Sequence, residues 1–220
     1  MHLPFTLYAL RRRNIMDTKK IVASGYDNIA AAYLKWISGS SLRERWLTEL
    51  AGLLPERGRV LDLGCGAGVP VIPHLKTLGF SVTGIDGSSA QIELARKNAP
   101  YAELHVTDMA SASFPAAGFE AVTAFYSITH LPRSEHSGMF GRIYEWLKPG
   151  GLFLATLGFR DCPEWTGEWL GTTMFFSHFD AETNIALLQN AGFKIKRREV
   201  IGEEENQEIV KFLWVIAEKS

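Results

Sequence analysis

The stretch that most constrains this chain is Val60-Leu61-Asp62-Leu63-Gly64-Cys65-Gly66-Ala67-Gly68. Arg59 to Leu63 is a short apolar run ending in glycines, the pattern of a buried strand that turns sharply. Glycine accepts the left-handed backbone of such a turn and lets the main chain approach a ligand closely. The periodicity then alternates. Helical spacing over Val69–Leu78 gives way to a strand at Phe80–Ile85, then to a helix ending at Asn98 that a Ser88/Gln91 capping box opens. Pro70 fits a first helical turn, whereas Pro73 sits deeper and argues against a regular helix there. Strands follow at Ala102–Val106 and Phe119–Phe125. A helix runs from about Ser134 to Leu147, stopped by Pro149-Gly150-Gly151, and a fifth strand covers Leu152–Leu157. Repeated βα units imply a parallel sheet with helices on both faces, and right-handed crossovers constrain it to a doubly wound sheet.

The flanks are less regular. Tyr26, Ile29, Ala30, Tyr33, Leu34 and Ile37 recur at helical spacing, and a second helix, Leu42–Leu54, opens with a Ser41/Glu44 capping box. Residues 158–179 are rich in aromatics and glycine with no clear period. Asp180 can cap a helix over Ala181–Asn190, which Gly192 ends, and strand patterns lie near Lys194–Ile201 and Lys211–Ala217. Glu203 to Glu208 reads as a solvated turn. The expected organisation is a flexible leader at 1–20 and one domain at 21–220, with N-terminal helices at 21–54 and a lid over the active site at 158–179. In the leader, Arg11-Arg12-Arg13 follows the apolar run, the reverse of a secretory signal. A weak transit-peptide reading stays open, and Met16 is an alternative start. Lys and Arg number 23 against 24 Asp and Glu, a net charge of −1, so nothing favours general nucleic-acid binding. Cys65 and Cys162 form no metal or redox pair, and no metal is expected. No apolar run approaches the ~20 residues that cross a bilayer, so the cytoplasm is the default compartment. Both monomer and homodimer stay open.

The glycine loop departs from a dinucleotide site. G-x-G-x-x-G would need glycine at 69, which is Val69, or at 71, which is Val71. The pattern is instead G-x-G-x-G with an acid two positions before the first glycine. It resembles motif I of the class I S-adenosylmethionine-dependent methyltransferases. Asp86 in Gly-Ile-Asp-Gly-Ser-Ser resembles that family's ribose-binding acid, and Asp108-Met109 its adenine-binding pair. Phe119-Glu120-Ala121-Val122 is similar to its fourth strand, with Glu where Asp is common. Leu147-Lys148-Pro149-Gly150-Gly151 is similar to the turn into strand five. The resemblance implies a Rossmann-like seven-stranded sheet, mostly parallel with an antiparallel last strand. It also implies S-adenosylmethionine as cofactor and S-adenosylhomocysteine as product. It assigns cofactor contacts to Asp62 (amino group), the loop amides around Gly64 to Gly68, with Cys65 and Gly66 between them (carboxylate), Asp86 (ribose), Asp108 and Met109 (adenine), and, with no part of the cofactor specified, Gly87, Ser88, Gln91 and Tyr126. Tyr26 and Tyr33, in Tyr-Asp-x-x-Ala-x-x-Tyr, would cover the methionine end. The alternatives are a capping or turn role for Asp62, a helix cap for Asp86, a surface turn for Asp108, ordinary packing for Tyr26 and Tyr33, and a core position for Tyr126.

A methyl acceptor must attack opposite the departing sulfur, so positioning dominates, with a base where the acceptor carries a proton. The end of strand four, Tyr126-Ser127-Ile128-Thr129-His130-Leu131-Pro132, lacks the Asp/Asn-Pro-Pro-Tyr/Phe signature of adenine or amide N-methylation. His130 is the first candidate for a base and His178 the second; packing near the cofactor is the alternative for His130. His136 is expected on an exposed helix surface. Tyr126, His130, Trp165, Trp169, Phe175 and His178 are the candidate substrate contacts, with lid packing as the alternative for the aromatics. Glu164 and Cys162 are weaker candidates. The expected activity is methyl transfer to oxygen or nitrogen of a small metabolite. A protein or RNA acceptor, a cofactor-binding pseudoenzyme and, less favoured, a nicotinamide oxidoreductase are the alternatives.

Overall fold

The computed structural model describes residues 5–37, 41–55, 57–205 and 208–220, with side chains at 18–35, 41–55, 57–204 and 208–220. Helix α1 (Phe5–Ile37) and helix α2 (Ser41–Gly52) precede the sheet. Thus α1 begins inside the segment expected as a leader; Arg11, Arg12, Arg13 and Met16 lie among side chains outside the described set. The strands β1 (Arg59–Leu63), β2 (Ser81–Asp86), β3 (Glu103–Val106), β4 (Phe119–Ala124) and β5 (Leu147–Gly158) alternate with helices α3 (Val71–Thr77), α4 (Ser89–Asn98) and α5 (Arg133–Trp146). A hairpin of β6 (Cys162–Trp169) and β7 (Thr172–His178) is followed by α6 (Ala181–Asn190), then β8 (Phe193–Glu205) and β9 (Glu208–Lys219). The seven-stranded sheet runs β3-β2-β1-β4-β5-β9-β8. Strands β1 to β5 pair in parallel, and β9 is antiparallel to both neighbours.

Strand alternation builds a core on each face of this sheet. Leu61 and Leu63 of β1 join Val215 and Ala217 of β9 against Phe140 and Ile143 of α5. Val60 joins Trp214 and Ile216 against Trp46, Ile72 and Ile92 of the helices opposite. Each such side chain, fully buried, contributes about 1.5–3 kcal/mol relative to exposure. Asp62 belongs to the second face and is nonetheless only 2% exposed.

The capping expectations hold in part. Ser88 Oγ accepts the Gln91 N–H at 3.1 Å, and Asp180 Oδ1 accepts the Thr183 N–H at 2.9 Å. Helix α3 starts at Val71, later than expected, which puts Pro73 in its first turn, where a missing N–H costs nothing. Residues 158–179 are corrected from irregular to an antiparallel hairpin, with Trp165 opposite Phe176 and Trp169 opposite Thr172. Its turn uses Leu170 (φ 50°) and Gly171 (φ 79°), a left-handed pair that usually reads as Asn-Gly in sequence. Glu203, Glu204 and Glu205 likewise extend the β8–β9 hairpin rather than a turn.

Candidate functional site

Strand β1 lies between β2 and β4, the point where the chain's crossovers change direction, and ligands bind at the carboxyl ends of the strands there. Gly64 (φ 70°) makes the turn out of β1, and a Cβ there would sit 2.4 Å from Ser127 Cβ. The loop is tied back to β2: the Gly64 and Cys65 N–H groups donate to the Ile85 carbonyl at 2.8 and 3.0 Å. The Gly66 N–H donates to Asp86 Oδ2 at 2.9 Å and the Gly68 N–H to the Cys65 carbonyl at 2.9 Å. These amides hold the turn, which corrects the expectation that they stand open to a carboxylate. The Cys65 thiol packs near Gly84, and Gly68 packs near Ile72 and Ala95; neither residue lines either of the two cavities at this end of the sheet.

Two adjoining cavities lie at this end of the sheet. One of about 80 Å³ is lined by Tyr26, Tyr33, Gly64, Gly66, Asp86, Gly87, Ser88, Gln91, Met109, Tyr126 and His130. The other, about 290 Å³, shares Gly87, Met109 and His130 and adds Val106, Thr107, Asp108 and Lys19. Asp86 accepts Gly66 N–H on one oxygen and Ser88 N–H (2.8 Å) on the other, which leaves lone pairs on both. Burial pushes its carboxyl up, opposed by those two N–H groups. Asp62 Oδ1 accepts the Thr123 hydroxyl at 2.6 Å, while Oδ2 is buried with no partner among the described residues. Burial raises its carboxyl from 3.8 to about 7. Asp108 Oδ1 accepts the Ala110 N–H at 2.9 Å, and Oδ2 lies 3.3 Å from Lys19 Nζ, which also pairs with Glu135 at 2.9 Å. Gln91 is 1% exposed, and neither side-chain amide atom has a partner among the described residues. It therefore does not close the capping box back onto Ser88. Gln91 lines the smaller cavity, so its amide is placed to meet a polar ligand, whereas Asp62 lines neither cavity.

Helix α1 roofs the smaller cavity. Asp27 accepts Ser88 Oγ–H at 2.6 Å and the Ala90 N–H at 3.0 Å, which pins α1 to the start of α4. The Tyr26 ring meets Tyr33 edge-on at 5.1 Å and His130 at 5.3 Å. Trp169 reaches down from the hairpin to Tyr26 (6.1 Å) and Tyr33 (6.0 Å), and Phe176 contacts His130 at 4.6 Å. Tyr126 has φ 58° at the end of β4; its N–H donates to Thr156 and its hydroxyl to Glu203, both at 2.5 Å. The Arg43 guanidinium lies 4.8 Å from the Tyr126 ring centre, and its charge opposes the upward shift of Asp62.

His130 is 7% exposed, and both of its ring nitrogens are engaged. Because a carbonyl can only accept, Nδ1–H donates to the Phe175 oxygen at 2.8 Å; Nε2 therefore accepts the Tyr26 hydroxyl at 2.9 Å. Burial lowers its pKa from 6.5 to about 4, so it is neutral at pH 7. The Phe175 side chain is 1% exposed and points into the core; it is Phe176 that joins the aromatic cluster. His178 lines neither cavity. It packs against Gly158 and donates from Nδ1 to the Arg160 carbonyl at 2.8 Å. Trp165 is 42% exposed and 5.8 Å from Phe176, at the outer end of the cluster. Cys162 is half-buried and Glu164 exposed, and neither lines either of these two cavities. His136 is corrected from surface to core: it is 1% exposed and bonds the Leu131 carbonyl at 3.0 Å. Its helix has Met139, Phe140 and Ile143 buried along the same stripe, a period the sequence shows.

Sequence reasoning did not single out Lys19, Asp27, Arg43, Ser127 or Glu203. Asp27 stands inside the Tyr-Asp-x-x-Ala-x-x-Tyr motif, the one signal available for it. The others depend on which elements dock.

Residues 33–197 match the model of a methyltransferase-domain family. The chain belongs to this methyltransferase family. It is 34% identical over 116 residues to sterol 24-C-methyltransferase erg-4 of Neurospora crassa, a match covering 50% of this chain and 30% of that protein. It is 35% identical over 115 residues to 27-O-demethylrifamycin SV methyltransferase of Amycolatopsis mediterranei, covering 49% of this chain and 42% of that protein. These matches thus span less than half the length of either curated relative. A solved S-adenosylmethionine-dependent methyltransferase from Methanosarcina mazei superposes with a TM-score of 0.68 at 26% identity, over 78% of this chain and 96% of that one. The sheet order and the antiparallel β9 are the Rossmann-like arrangement expected of this family. Among the described residues, no helix is long and apolar enough to cross a membrane.

Proposed function

We propose that this methyltransferase binds S-adenosylmethionine in the two joined cavities under α1 and methylates oxygen or nitrogen of a small-molecule acceptor. The observation that carries the reading is the set of acids at successive strand ends, Asp62, Asp86 and Asp108, each with an oxygen able to accept further. Asp62 Oδ2 suits an ammonium, Asp86 a pair of ribose hydroxyls, and Asp108 with Met109 an adenine edge. Arg43 is the cation suited to the methionine carboxylate, a role the loop amides cannot fill while they hold the turn. When bound, the cofactor supplies an electrophilic methyl on a sulfonium.

The chain's own work is then orientation and exclusion of water. Tyr26, Tyr33, Trp169 and Phe176 form the apolar wall against which an acceptor would be held. Trp165, at the outer end of that wall, is the entry-side contact. An imidazole with a pKa of about 4 and both nitrogens engaged is a poor proton acceptor, so His130 is assigned a positioning role. A small acceptor is favoured over a macromolecular one by the near-neutral chain and by the roofed cavity.

Calorimetric titration with S-adenosylmethionine, S-adenosylhomocysteine and NAD tests the cofactor. Micromolar binding of both adenosyl compounds and none of NAD is expected; binding of NAD alone would overturn the reading. Release of S-adenosylhomocysteine against a panel of small phenols, amines and carboxylic acids then separates an enzyme from a cofactor-binding pseudoenzyme.

A further inference from the structure

The side chain of Gln91 lacks its usual local partner. It stands at the third position of α4, where a glutamine ordinarily turns back to accept the N–H of the capping residue. Here the Ser88 N–H donates instead to Asp86 Oδ1 at 2.8 Å. The Ser88 hydroxyl accepts the Gln91 main-chain N–H and donates to Asp27, so it too is taken. The Gln91 amide is thereby left in the wall of the smaller cavity beside Asp86, Gly66 and Gly87, 1% exposed, with neither Oε1 nor Nε2 bonded among the described residues. Oε1 lies 3.6 Å from where a Cβ on Gly66 would stand, and the Gly66 N–H donates to Asp86 Oδ2. Amide and carboxylate thus flank the same loop residue. An unbonded amide in such a wall destabilises the empty fold, whereas an apolar side chain of the same size would not.

We infer that Gln91 is a specificity residue for a vicinal diol on the ligand: its Nε2–H groups donate to hydroxyl oxygens whose hydrogens Asp86 accepts. A carboxylate can only accept, so Asp86 by itself leaves the lone pairs of each hydroxyl unmet. A glutamine amide beside it supplies the missing donors. A ligand without the diol would leave both the carboxylate and the amide unpaired in the wall, and a site built this way rejects such a ligand strongly. The inference rests on the cofactor reading above, which sets a ribose against Asp86.

The test needs no acceptor. Calorimetry on the full chain gives dissociation constants for S-adenosylhomocysteine and for its 2′,3′-dideoxy analogue. The two share the adenine, the thioether and the amino-acid tail, so the ratio of their constants isolates the diol. Gln91→Met keeps the side-chain length and the helix preference and removes both amide groups. It should lower the preference for the diol roughly tenfold. Melted without ligand, the same variant should unfold roughly 2–4 °C above the parent, because the unbonded amide is gone. Gln91→Leu repeats both measurements with a second apolar side chain. A preference unchanged in Gln91→Met and Gln91→Leu overturns the inference and leaves the cofactor site standing. So do empty variants that both melt below the parent, which would show the amide to be bonded within the fold. Absence of S-adenosylhomocysteine binding by the unmodified chain instead overturns the cofactor reading itself.

Discussion

Asp62 offers the sharpest quantitative test, because its carboxyl is buried, half-satisfied and titrates near neutrality. Its pKa rises from 3.8 to about 7. A raised folded-state value means that the folded protein holds the proton more tightly than the unfolded chain. The contribution to stability is complete below 3.8 and is lost as pH rises through 7. Asp62→Asn removes this titration, and the Thr123 hydroxyl can still donate to the amide oxygen. The stability of the variant minus that of the parent should therefore grow with pH. At 1.36 kcal/mol per pKa unit, the gain between pH 5 and pH 8 is about 2–3 kcal/mol. For a chain of this size that is a relative rise in Tm of about 5–10 °C. Urea unfolding of both proteins at pH 5, 6, 7 and 8 measures the difference directly. Any pH-independent cost of the new amide cancels from the slope. A difference constant across this range would refute the claim that Asp62 is buried as a proton-holding group. The same variant should bind S-adenosylmethionine more weakly at pH 8, because the ammonium loses its counter-charge.

Other perturbations separate the remaining claims. Asp86→Ala should weaken S-adenosylmethionine binding more than tenfold by calorimetry, since it loses charge-assisted hydrogen bonds and frees the Gly66 and Ser88 N–H groups. Gly64→Ala should cost about 3 kcal/mol or more in urea unfolding, from its φ of 70° and the 2.4 Å approach to Ser127 Cβ. A loss under about 0.5 kcal/mol would show that the loop relaxes freely. His136 is held neutral by burial, which lowers its pKa from 6.5 to about 4. Its contribution is present above 6.5 and lost as pH falls, so His136→Gln should recover about 2 kcal/mol of the stability lost between pH 7 and 4.5. An unchanged acid slope would place the loss elsewhere.

Much of this architecture was legible before any coordinates. The glycines after Leu63, the capping signals at Ser88 and Asp180, and the alternation of apolar periods placed the strands and helices of the central domain. Asp62, Asp86 and Asp108 were readable because each lies within two residues of a strand's carboxyl end, in a short segment that resembles a family motif. The β6–β7 hairpin was not, because Leu170-Gly171 is an uncommon left-handed turn pair and Gly167 interrupts the apolar alternation.

Local sequence thus determined the elements, their order and the acids at the strand ends, since these depend on period, caps and turns within a few residues. Tertiary structure alone decided how residues far apart in the chain act together. The Tyr26 hydroxyl finds His130 from 104 positions away, and His130 finds the Phe175 carbonyl from 45 away. The docking of α1 and the hairpin set those partners, and with them the tautomer and the depressed pKa of His130. Burial likewise turned Asp62 from an ordinary carboxylate into one that titrates near pH 7, a property of its surroundings rather than of its place in a motif.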